Sequence, residues 1–517
     1  MVWQPELDEL KRRRELAEQM GGPEGIARQH SRGKLTVRER IVALADPGSF
    51  QEIGVLAGRG VYKNDKLIGF TPANSVIGLC TLNGRKVVLS GGDFTVRGGA
   101  ADAAVAGKSY YAAELAKEWH LPYVRLLDAT GGSVRTFEIL GRTYIPDNPG
   151  TPTATKLLGM VPVVSAVLGS VAGLPAVEAC IAHFNLMVKG SSQVFAGGPP
   201  VVKAALGYDI TKEELGDERT QAHEAGVIDN VARSEDEAVD TIRRFLSYMP
   251  DNVWEMPPRV EPTDDMNRRE EELLSIIPRE KRKGYNPHKI LQLVLDRDSF
   301  FEIAPYYGRS RIIGLARVNG YPVGAMINNP MFLGGSMDVA AGDKVIRFLE
   351  LCNTFHLPLV YFADEPGFMV GLEAQKQGIV RAGARIVCVT CDTRMPWITF
   401  IVRQLYGVAG GLHVRPGGMY RRYAWPSANW GSMHIEGGTM AAYRRQIEAA
   451  PDPEAKQQEI EDRLKAVASP FRSAEAFNIE DIIDPRDTRP LLCEFVEMAQ
   501  KDIKAQLGPT TSLSFRP

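Results

Sequence analysis

Two short turns are the parts of this sequence whose residue types suggest chemistry. One contains Gly131 and Gly132, and the other contains Val408 and Ala409 between further glycines. Each turn follows a predicted strand, and glycine lets the backbone approach a bound group closely. A strand, a small-residue turn and a helix in succession present backbone N–H groups to an anion. The sequence therefore predicts two places at which backbone amides stabilise negative charge.

The elements that carry these turns occur twice along the chain. Pairing residue i with residue i+236 matches Asp128 with Asp364 and continues without a gap over about fifty residues. Further along, the offset is 234, and upstream, where Asp46 matches Asp296, it is 250. A period of this length indicates a duplicated domain, because solenoids repeat roughly every 20 to 50 residues. Two similar domains create two similar sites, which suits the transfer of one group between two substrates.

The hydrophobic pattern predicts an α/β fold in each half. The predicted strands are residues 86–90, 123–127, 163–168, 323–327, 359–363 and 397–402, and the predicted helices are residues 100–118 and 343–355. A proline-rich, charged segment separates the halves and is typical of a linker. We therefore expect an N-terminal domain at 1–250, a linker at 251–287 and a C-terminal domain at 288–517.

Composition excludes several classes of partner. The chain has 517 residues, with 61 lysines and arginines against 63 acidic residues, so its net charge is −2. This balance gives no electrostatic reason to expect nucleic acid or an anionic membrane. The first residues are charged and polar, unlike a signal peptide, and no run reaches the roughly 18 apolar residues of a membrane span. We expect a cytoplasmic protein with no membrane or nucleic-acid partner.

The cysteines do not predict a metal site. Of the six, only Cys388 and Cys391 lie close together, in the apolar run 386–391, which we predict to be a buried strand. Structural zinc needs four protein ligands, and no second Cys or His pair completes such a set. We therefore expect no metal.

Six motifs make the chain resemble the carboxyltransferase (β) subunits of biotin-dependent acyl-CoA carboxylases, the propionyl-CoA, methylcrotonyl-CoA and geranyl-CoA enzymes. They cover nearly the whole chain, in order: Arg32–Arg40, Asp93–Gly99, Gly197–Ala204, Pro366–Gly371, Ala424–Ala428 and Ile483–Arg489. The third and fourth motifs are more similar to the methylcrotonyl and geranyl branch. The resemblance implies two duplicated crotonase-like (ClpP/crotonase) β/α superhelical domains. It places acyl-CoA in the N-terminal domain and biotin in the C-terminal one.

The resemblance also implies a role for each turn. By motif position, Gly131 and Gly132 donate N–H groups to the acyl-CoA thioester, whereas Val408 and Ala409 donate to the carbonyl of biotin. Both half-reactions develop negative charge on oxygen, so both need oxyanion holes. The decarboxylated biotin can accept the substrate proton, so no protein base is required. A tight turn or the start of a helix explains the same residues structurally.

Further residues are assigned to biotin or CoA by their positions around these turns: Gly367, Phe368, Gly407, Gly410 and Gly411. Gly411 stands where propionyl-type enzymes carry a side chain that discriminates short acyl chains, which implies a larger or differently shaped acyl group. Arg381 and Arg385, four residues apart on one helix face, are proposed to bind the CoA phosphates. Solvated helix charges are the alternative for this pair.

The chain departs from the family pattern in several places. The first turn is one residue longer, through Thr130, so the amides of the hole can shift by one position. Pro175 replaces an amide donor in a later turn and is better explained as the start of a helix. Val408 is an unusual residue at the biotin turn. His413 and Arg415 follow that turn, where a packed or solvent-facing role is more common than a catalytic one.

Missing motifs define the partner. The chain has neither a biotinyl-lysine motif nor an ATP-grasp phosphate loop, so it requires an α subunit with biotin carboxylase and biotin carboxyl carrier domains. The resemblance implies a homo-oligomer, a hexameric core. Two alternatives stay open: the carboxyltransferase subunit of a biotin-dependent decarboxylase, and a degenerate subunit that only scaffolds the assembly.

Overall fold

The structure is a computed structural model that describes residues 2–146, 148–262, 264–280, 283–412 and 417–510. His413 and Arg415 lie outside the described residues. The chain divides into two compact units, Met1–Glu255 and Met256–Pro517. Within the described residues, no helix is long and apolar enough to cross a membrane.

The first unit contains ten helices and ten strands within its described residues. The helices are α1 Gln4–Glu18, α2 Gly22–His30, α3 Val37–Leu44, α4 Ala106–Trp119, α5 Arg135–Leu140, α6 Thr151–Leu157, α7 Leu174–Cys180, α8 Pro199–Leu206, α9 Lys212–Gly216 and α10 Glu235–Tyr248. The strands are β1 Gln51–Ile53, β2 Gly58–Lys63, β3 Lys66–Pro72, β4 Ser75–Leu82, β5 Arg85–Gly92, β6 Tyr123–Ala129, β7 Val163–Ala172, β8 Phe184–Val188, β9 Gln193–Phe195 and β10 Asn230–Ala232.

The second unit contains nine helices and eight strands within its described residues. The helices are α11 Pro287–Val294, α12 Val339–Thr354, α13 Leu372–Lys376, α14 Ile379–Asp392, α15 Gly407–Gly411, α16 Ile435–Glu448, α17 Pro453–Val467, α18 Pro470–Glu475 and α19 Thr488–Gln506. The strands are β11 Phe301–Ile303, β12 Arg311–Val318, β13 Tyr321–Asn328, β14 Leu359–Glu365, β15 Trp397–Tyr406, β16 Tyr420–Ala424, β17 Asn429–Gly431 and β18 Asp481–Ile482.

The two units have the same sheet topology. The first sheet has the order β1-β4-β5-β6-β7-β8-β10 with β9 paired to β7, and the second has β11-β12-β13-β14-β15-β16-β18 with β17 paired to β15. The first pairings in each sheet are antiparallel and the later ones parallel. All seven residues of β14 are buried, as expected of a parallel strand covered on both faces. The duplication predicted from the offsets is confirmed.

Both central strand pairs contain an irregularity at the same place. The β6–β7 register shifts between Leu127 and Ala129, and the β14–β15 register shifts between Ala363 and Glu365. The offset of 236 relates these positions. A bulge of this kind bends a strand and redirects its side chains. Each bulge directly precedes one of the glycine turns, so the bulge sets the direction in which the turn leaves the sheet.

The helices that enter each sheet also correspond. Thr36 caps α3 through a capping box with Glu39, and Asn286 caps α11 by accepting from the amide of His288. The offset of 250 relates the two cap residues. Side-chain oxygens at this position satisfy amides that have no partner within the helix. The segments before α3 and α11 can therefore be aligned residue by residue.

One predicted element is wrong. Residues 386–391 form the end of helix α14 instead of a strand, and Cys391 is exposed. The β-branched residues suggested a strand, but the helix buries Ile379, Ala382, Ile386 and Val389 along one face. That spacing of three and four residues matches the helical period, and it overrides the local β preference.

The start of one helix also differs from the prediction. Helix α4 begins at Ala106 instead of residue 100, because residues 97–103 form two short 3-10 turns around Gly98, which has a φ of 68°. Leu273 and Tyr285, which lie in the predicted linker, belong to the buried core of the second unit. The predicted division at 250 and 288 stays a prediction.

Candidate active site

Gly131 occupies a position that only glycine tolerates. Its φ is +77°, and a Cβ atom there would lie 2.5 Å from the carbonyl oxygen of Ala172. Residues with side chains disfavour a positive φ. The turn after β6 therefore packs directly against the end of β7, and its path depends on the missing side chain.

A loop on the other side holds the same turn. The amide of Ala101 donates to the carbonyl of Gly131 at 2.8 Å, and the amide and hydroxyl of Thr130 both donate to the carbonyl of Gly98, at 3.1 and 3.0 Å. Thr130 is the extra residue of this turn. Both hydrogen bonds fix Thr130 to the loop at Gly98.

The second unit repeats this contact. The amide of Met337 donates to the carbonyl of Gly367 at 3.0 Å, and the offset of 236 relates this bond to the one between Ala101 and Gly131. The extra residue therefore does not displace Gly131 relative to the internal copy. Gly132 then corresponds to Phe368.

Gly132 differs from Gly131 in its surroundings. It is exposed, and no atom lies within 4 Å of the position of a Cβ. Among the described residues, no acceptor binds its amide. The amide of Gly132 is thus open to a ligand, and Gly131 gives the turn its shape.

Phe368 contributes packing to its turn. A Cβ on Gly383 would come within 2.9 Å of its ring, so the ring lies against helix α14. The amide of Gly367 donates to Oε1 of Glu365 at 3.0 Å. Glu365 and Phe368 therefore fix the position of this turn, and the proposed roles of Gly367 and Phe368 in binding biotin stay predictions.

Val408 and Ala409 lie in the first turn of the short helix α15 after β15. The first amides of a helix have no acceptor within it. Gly407 has a φ of 65°, as does Gly173 at the equivalent place in the first unit. Val408 is 68% exposed, whereas Ala409 is fully buried. The side chain of Val408 points away from the packed interior, and both residues can act through their amides.

Pro175 lies in the first turn of α7, immediately after Gly173 and Leu174. This position confirms that Pro175 starts a helix, where its missing N–H is not needed. The first unit therefore lacks one amide that the second unit presents in its equivalent turn.

Gly407, Gly410 and Gly411 line a pocket of about 190 Å³ together with Trp430 and Arg422. A Cβ on Gly410 would contact the backbone of β15, but Gly411 has no atom within 4 Å of a Cβ position. Gly410 is needed for close packing, and Gly411 leaves open space beside the turn.

Arg381 and Arg385 are both exposed on helix α14. Arg385 lies 3.4 Å from Asp343 in an exposed ion pair. Such pairs contribute roughly 0 to 1 kcal/mol. An anionic ligand can compete for Arg385 at little cost, and Arg381 lies one helical turn away.

Buried carboxylates stand at the ends of both strands that lead into the turns. Asp128 and Asp364 are fully buried, and each is bound by cationic side chains. Glu365 is also fully buried and pairs with Arg311. Burial without a paired cation is costly for a carboxylate, so these groups hold the strand ends in place. The internal alignment matched the two aspartates but did not identify their cations.

His434 connects the two turns of the second unit. Its Nε2 lies 2.9 Å from the carbonyl oxygen of Pro366, and its ring centroid lies 4.0 Å from that of Tyr406. Pro366 precedes Gly367, and Tyr406 precedes Gly407. Sequence reasoning missed this histidine, because its spacing to both turns shows no pattern along the chain.

Known proteins match this chain over nearly its whole length. A model of the carboxyl transferase domain matches residues 28–510. The carboxyltransferase subunit of propionyl-CoA carboxylase from Haloferax mediterranei is 34% identical over 516 residues, which cover 98% of each chain. Subunit alpha of methylmalonyl-CoA decarboxylase from Propionigenium modestum is 30% identical over 96% of each chain. A crystal structure of transcarboxylase 12S, a hexamer with methylmalonyl-CoA bound, has a TM-score of 0.88 and 30% identity, covering 99% of this chain and 98% of that chain.

The likeness to transcarboxylase 12S extends over both units and confirms the predicted fold. The chain consists of two duplicated crotonase-like α/β domains, each with its own parallel-rich sheet.

Proposed function

We propose that this chain, which belongs to the carboxyl transferase family, is the carboxyltransferase subunit of a biotin-dependent acyl-CoA carboxylase. Two turns, one in each unit, carry this proposal. One contains the open amide of Gly132, and the other places Val408 and Ala409 in the first turn of α15, where amides have no acceptor within the helix. Transfer of a carboxyl group between two carriers develops charge on an oxygen of each. Two backbone oxyanion holes in one chain match that requirement.

In the first unit, the amides of Gly131 and Gly132 stabilise the thioester oxygen of the acyl-CoA. Negative charge collects on this oxygen when the α carbon, or a vinylogous γ carbon, loses its proton and becomes an enolate. Loss of one such donor typically costs about 2.7 to 4 kcal/mol of transition-state stabilisation. Gly131 also sets the path of the turn, because its φ of +77° and its close approach to Ala172 require glycine.

In the second unit, the amides of Val408 and Ala409 hold the ureido oxygen of biotin. Carboxybiotin, when bound, supplies the carbon dioxide and a base for the substrate proton. Two observations support this: both residues lie in the first turn of α15, where amides have no acceptor within the helix, and Gly407, Gly410 and Gly411 beside them line a pocket of about 190 Å³. The residues of the turn orient the oxygen, and no ionisable side chain is required at the reacting atoms.

Gly411 favours an acyl group larger than propionyl. Its position opens onto unfilled space, and the propionyl-type enzymes that the chain resembles carry a side chain there.

Gly411→Asp is expected to lower kcat/KM for the best long or branched acyl-CoA at least about 10-fold, because a methylene-sized clash costs roughly 1 to 3 kcal/mol. The kcat/KM for propionyl-CoA is expected to change less. A panel of acyl-CoAs with ATP and labelled bicarbonate measures this. A uniform loss across the panel would contradict the size argument.

Arg381 and Arg385 are proposed to bind the CoA phosphates. The exposure of both side chains on one helix face supports this. Guanidinium groups bind phosphate oxygens with charge-assisted hydrogen bonds.

The division of labour between subunits gives a direct test. The purified chain is expected to contain no biotin and to show no ATP-dependent carboxylation alone, because it has no biotinyl-lysine motif. Activity should appear when an α subunit with biotin carboxylase and carrier domains is added. Streptavidin blotting and mass spectrometry of the isolated chain are the measurements. Stoichiometric biotin on any lysine of this chain would contradict the proposal.

A homo-oligomer, a hexameric core, is the proposed assembly. Apolar side chains beside the turns are exposed in the single chain: Val134 by 78%, Val370 by 83% and Val408 by 68%. Transcarboxylase 12S, whose fold this chain shares, assembles as a hexamer, which supports the same arrangement here.

A decarboxylase subunit is the second proposed function, favoured by the similarity to the methylmalonyl-CoA decarboxylase subunit of Propionigenium modestum. The two holes would then act in the reverse direction. Binding to an ATP-dependent biotin carboxylase supports the first function, and binding to a membrane pump supports the second. A scaffold without turnover would assemble with the partner but carboxylate none of the panel.

A further inference from the structure

We infer that Lys34 and Arg403 are positioning residues that bind equivalent buried aspartates, and that the two units supply this cation from exchanged positions. Lys34 holds the strand end before the turn of Gly131 and Gly132, and Arg403 holds β15, the strand that leads into the turn of Val408 and Ala409. The inference rests on the proposed function, because it assigns each residue to one half-reaction.

In the first unit, the cation comes from the entering chain. Nζ of Lys34 lies 2.8 Å from Oδ2 of Asp128, and Nη1 of Arg40 lies 3.1 Å from the same oxygen. Arg40 also pairs with Glu235 at 2.8 Å, so its charge is shared. Asp128 is fully buried, and the Lys34 side chain is 6% exposed. Burial lowers the pKa of Lys34, and Asp128 opposes this shift.

In the second unit, the cation comes from the neighbouring strand. Nε of Arg403 donates to both carboxylate oxygens of Asp364 at 3.0 Å, and Nη2 lies 2.9 Å from Oδ2. The hydroxyl of Tyr285 donates to Oδ2 at 3.0 Å. Arg403 lies on β15, whereas Lys34 precedes helix α3.

The sheet registers show that the two positions are exchanged. Val167 and Val171 pair with the strand before the first turn just as Ile401 and Leu405 pair with the strand before the second. The middle residue of the segment between Val167 and Val171 is therefore equivalent to the middle residue between Ile401 and Leu405. That residue is Gly169 in the first unit and Arg403 in the second.

The other half of the exchange lies before the helix caps. Thr36 and Asn286 are equivalent N-caps, so the residue two positions earlier is Lys34 in the first unit and Gly284 in the second. Each unit thus has one cation and one glycine, at opposite positions.

The contacts of Gly169 support this exchange. A Cβ on Gly169 would overlap Oδ1 of Asp128 and Nζ of Lys34. Among the described residues, Oδ1 of Asp128 has no hydrogen-bond partner. The oxygen that lacks a partner is the one that faces the position from which the second unit extends its arginine.

The position of the aspartates gives the pairs a role in the reaction. Asp128 lies three residues before Gly131, and Asp364 lies three residues before Gly367. The Asp128 pair restricts the strand end before the amides of Gly131 and Gly132. The Asp364 pair ties β14 to β15, and β15 ends directly before the turn of Val408 and Ala409. A displacement of about 1 Å at a reacting group can cost roughly 10²-fold in rate.

Two matched double variants test the assignment, Lys34→Met with Asp128→Asn, and Arg403→Met with Asp364→Asn. Each removes a pair without leaving an unpaired buried charge, so both should assemble like wild type. The first pair is expected to lower acyl-CoA carboxylation about 10²-fold and to leave carboxybiotin decarboxylation without acyl-CoA within about twofold. The second pair is expected to lower both reactions about 10²-fold, because carboxybiotin reacts at the turn that β15 leads into.

An exchange variant tests the origin of the cation. Arg403→Gly is expected to lose carboxylation, and Arg403→Gly with Gly284→Lys is expected to regain at least about 10-fold of that loss, out of the roughly 10²-fold that misplacement costs. Among the described residues, a Cβ on Gly284 would come close only to the flexible side chain of Met331. Failure of Gly284→Lys to restore activity would overturn the exchange. Equal loss of both reactions in the first double variant, or no loss, would overturn the positioning role. A wild-type complex that carboxylates no acyl-CoA would instead contradict the proposed function.

Discussion

Replacing Gly132 by proline is expected to lower acyl-CoA carboxylation about 10²- to 10³-fold, because it removes one oxyanion donor. Proline has no N–H, and the space around Gly132 is open, so the ring itself meets no obstacle. Assembly with the α subunit should be unchanged. Turnover with the best acyl-CoA, measured on the purified complex, gives the result.

Gly132→Ala is the matched control, because it adds a side chain to open space and keeps the amide. It should retain most activity. Gly131→Pro is expected to abolish carboxylation as well, for a different reason. The φ of +77° at Gly131 is incompatible with proline, and a Cβ there lies 2.5 Å from Ala172, so Gly131→Ala should also lose activity. Wild-type turnover in both proline variants, with normal assembly, would show that the thioester hole lies elsewhere.

The internal duplication made the fold predictable. Offsets of 236 and 234 matched Asp128 with Asp364 and Gly173 with Gly407, and the sheets of the two units follow the same order. Matching residues at these offsets also located both turns, because glycine is required where the backbone has a positive φ or packs closely. Comparing the two copies thus identifies turn positions that one copy alone would not reveal.

The cations that support the turns could not be predicted in the same way. Lys34 lies 94 residues from Asp128 along the chain, and no periodicity connects them. The duplication conceals this contact, since Lys34 matches Gly284 and Gly169 matches Arg403. At each of these two positions one unit has a cation where the other has glycine. Only the sheet register shows that the two differences compensate each other.

The wrong strand prediction at 386–391 has a related cause. Local β-branched residues suggested a strand, but the buried face of α14 extends from Ile379 to Val389 and is visible only over a longer window. Side-chain packing against Phe368, which Gly383 permits, requires a helix at this place. Tertiary contacts decided the element, as is common for short apolar runs.

At the biotin turn, Ala409→Pro is expected to lower decarboxylation of carboxybiotin about 10²- to 10³-fold through the loss of one amide. Val408→Ala and Val408→Gly should retain most activity, because the valine side chain is 68% exposed and its amide survives the change. Decarboxylation of carboxybiotin without acyl-CoA is the assay, since it does not depend on the turn at Gly131 and Gly132.

Volume is the competing explanation for any loss in Ala409→Pro, because Ala409 is fully buried and extra atoms in a packed site cost roughly 1 to 3 kcal/mol. Ala409→Val adds the same number of heavy atoms as proline and keeps the N–H group. Activity retained in the valine variant and lost in the proline variant would assign the effect to the amide. Equal losses in the two Ala409 variants would assign the effect to packing. A large loss in Val408→Ala would mean that the valine side chain shapes the biotin pocket, so that the backbone alone does not account for this half of the reaction.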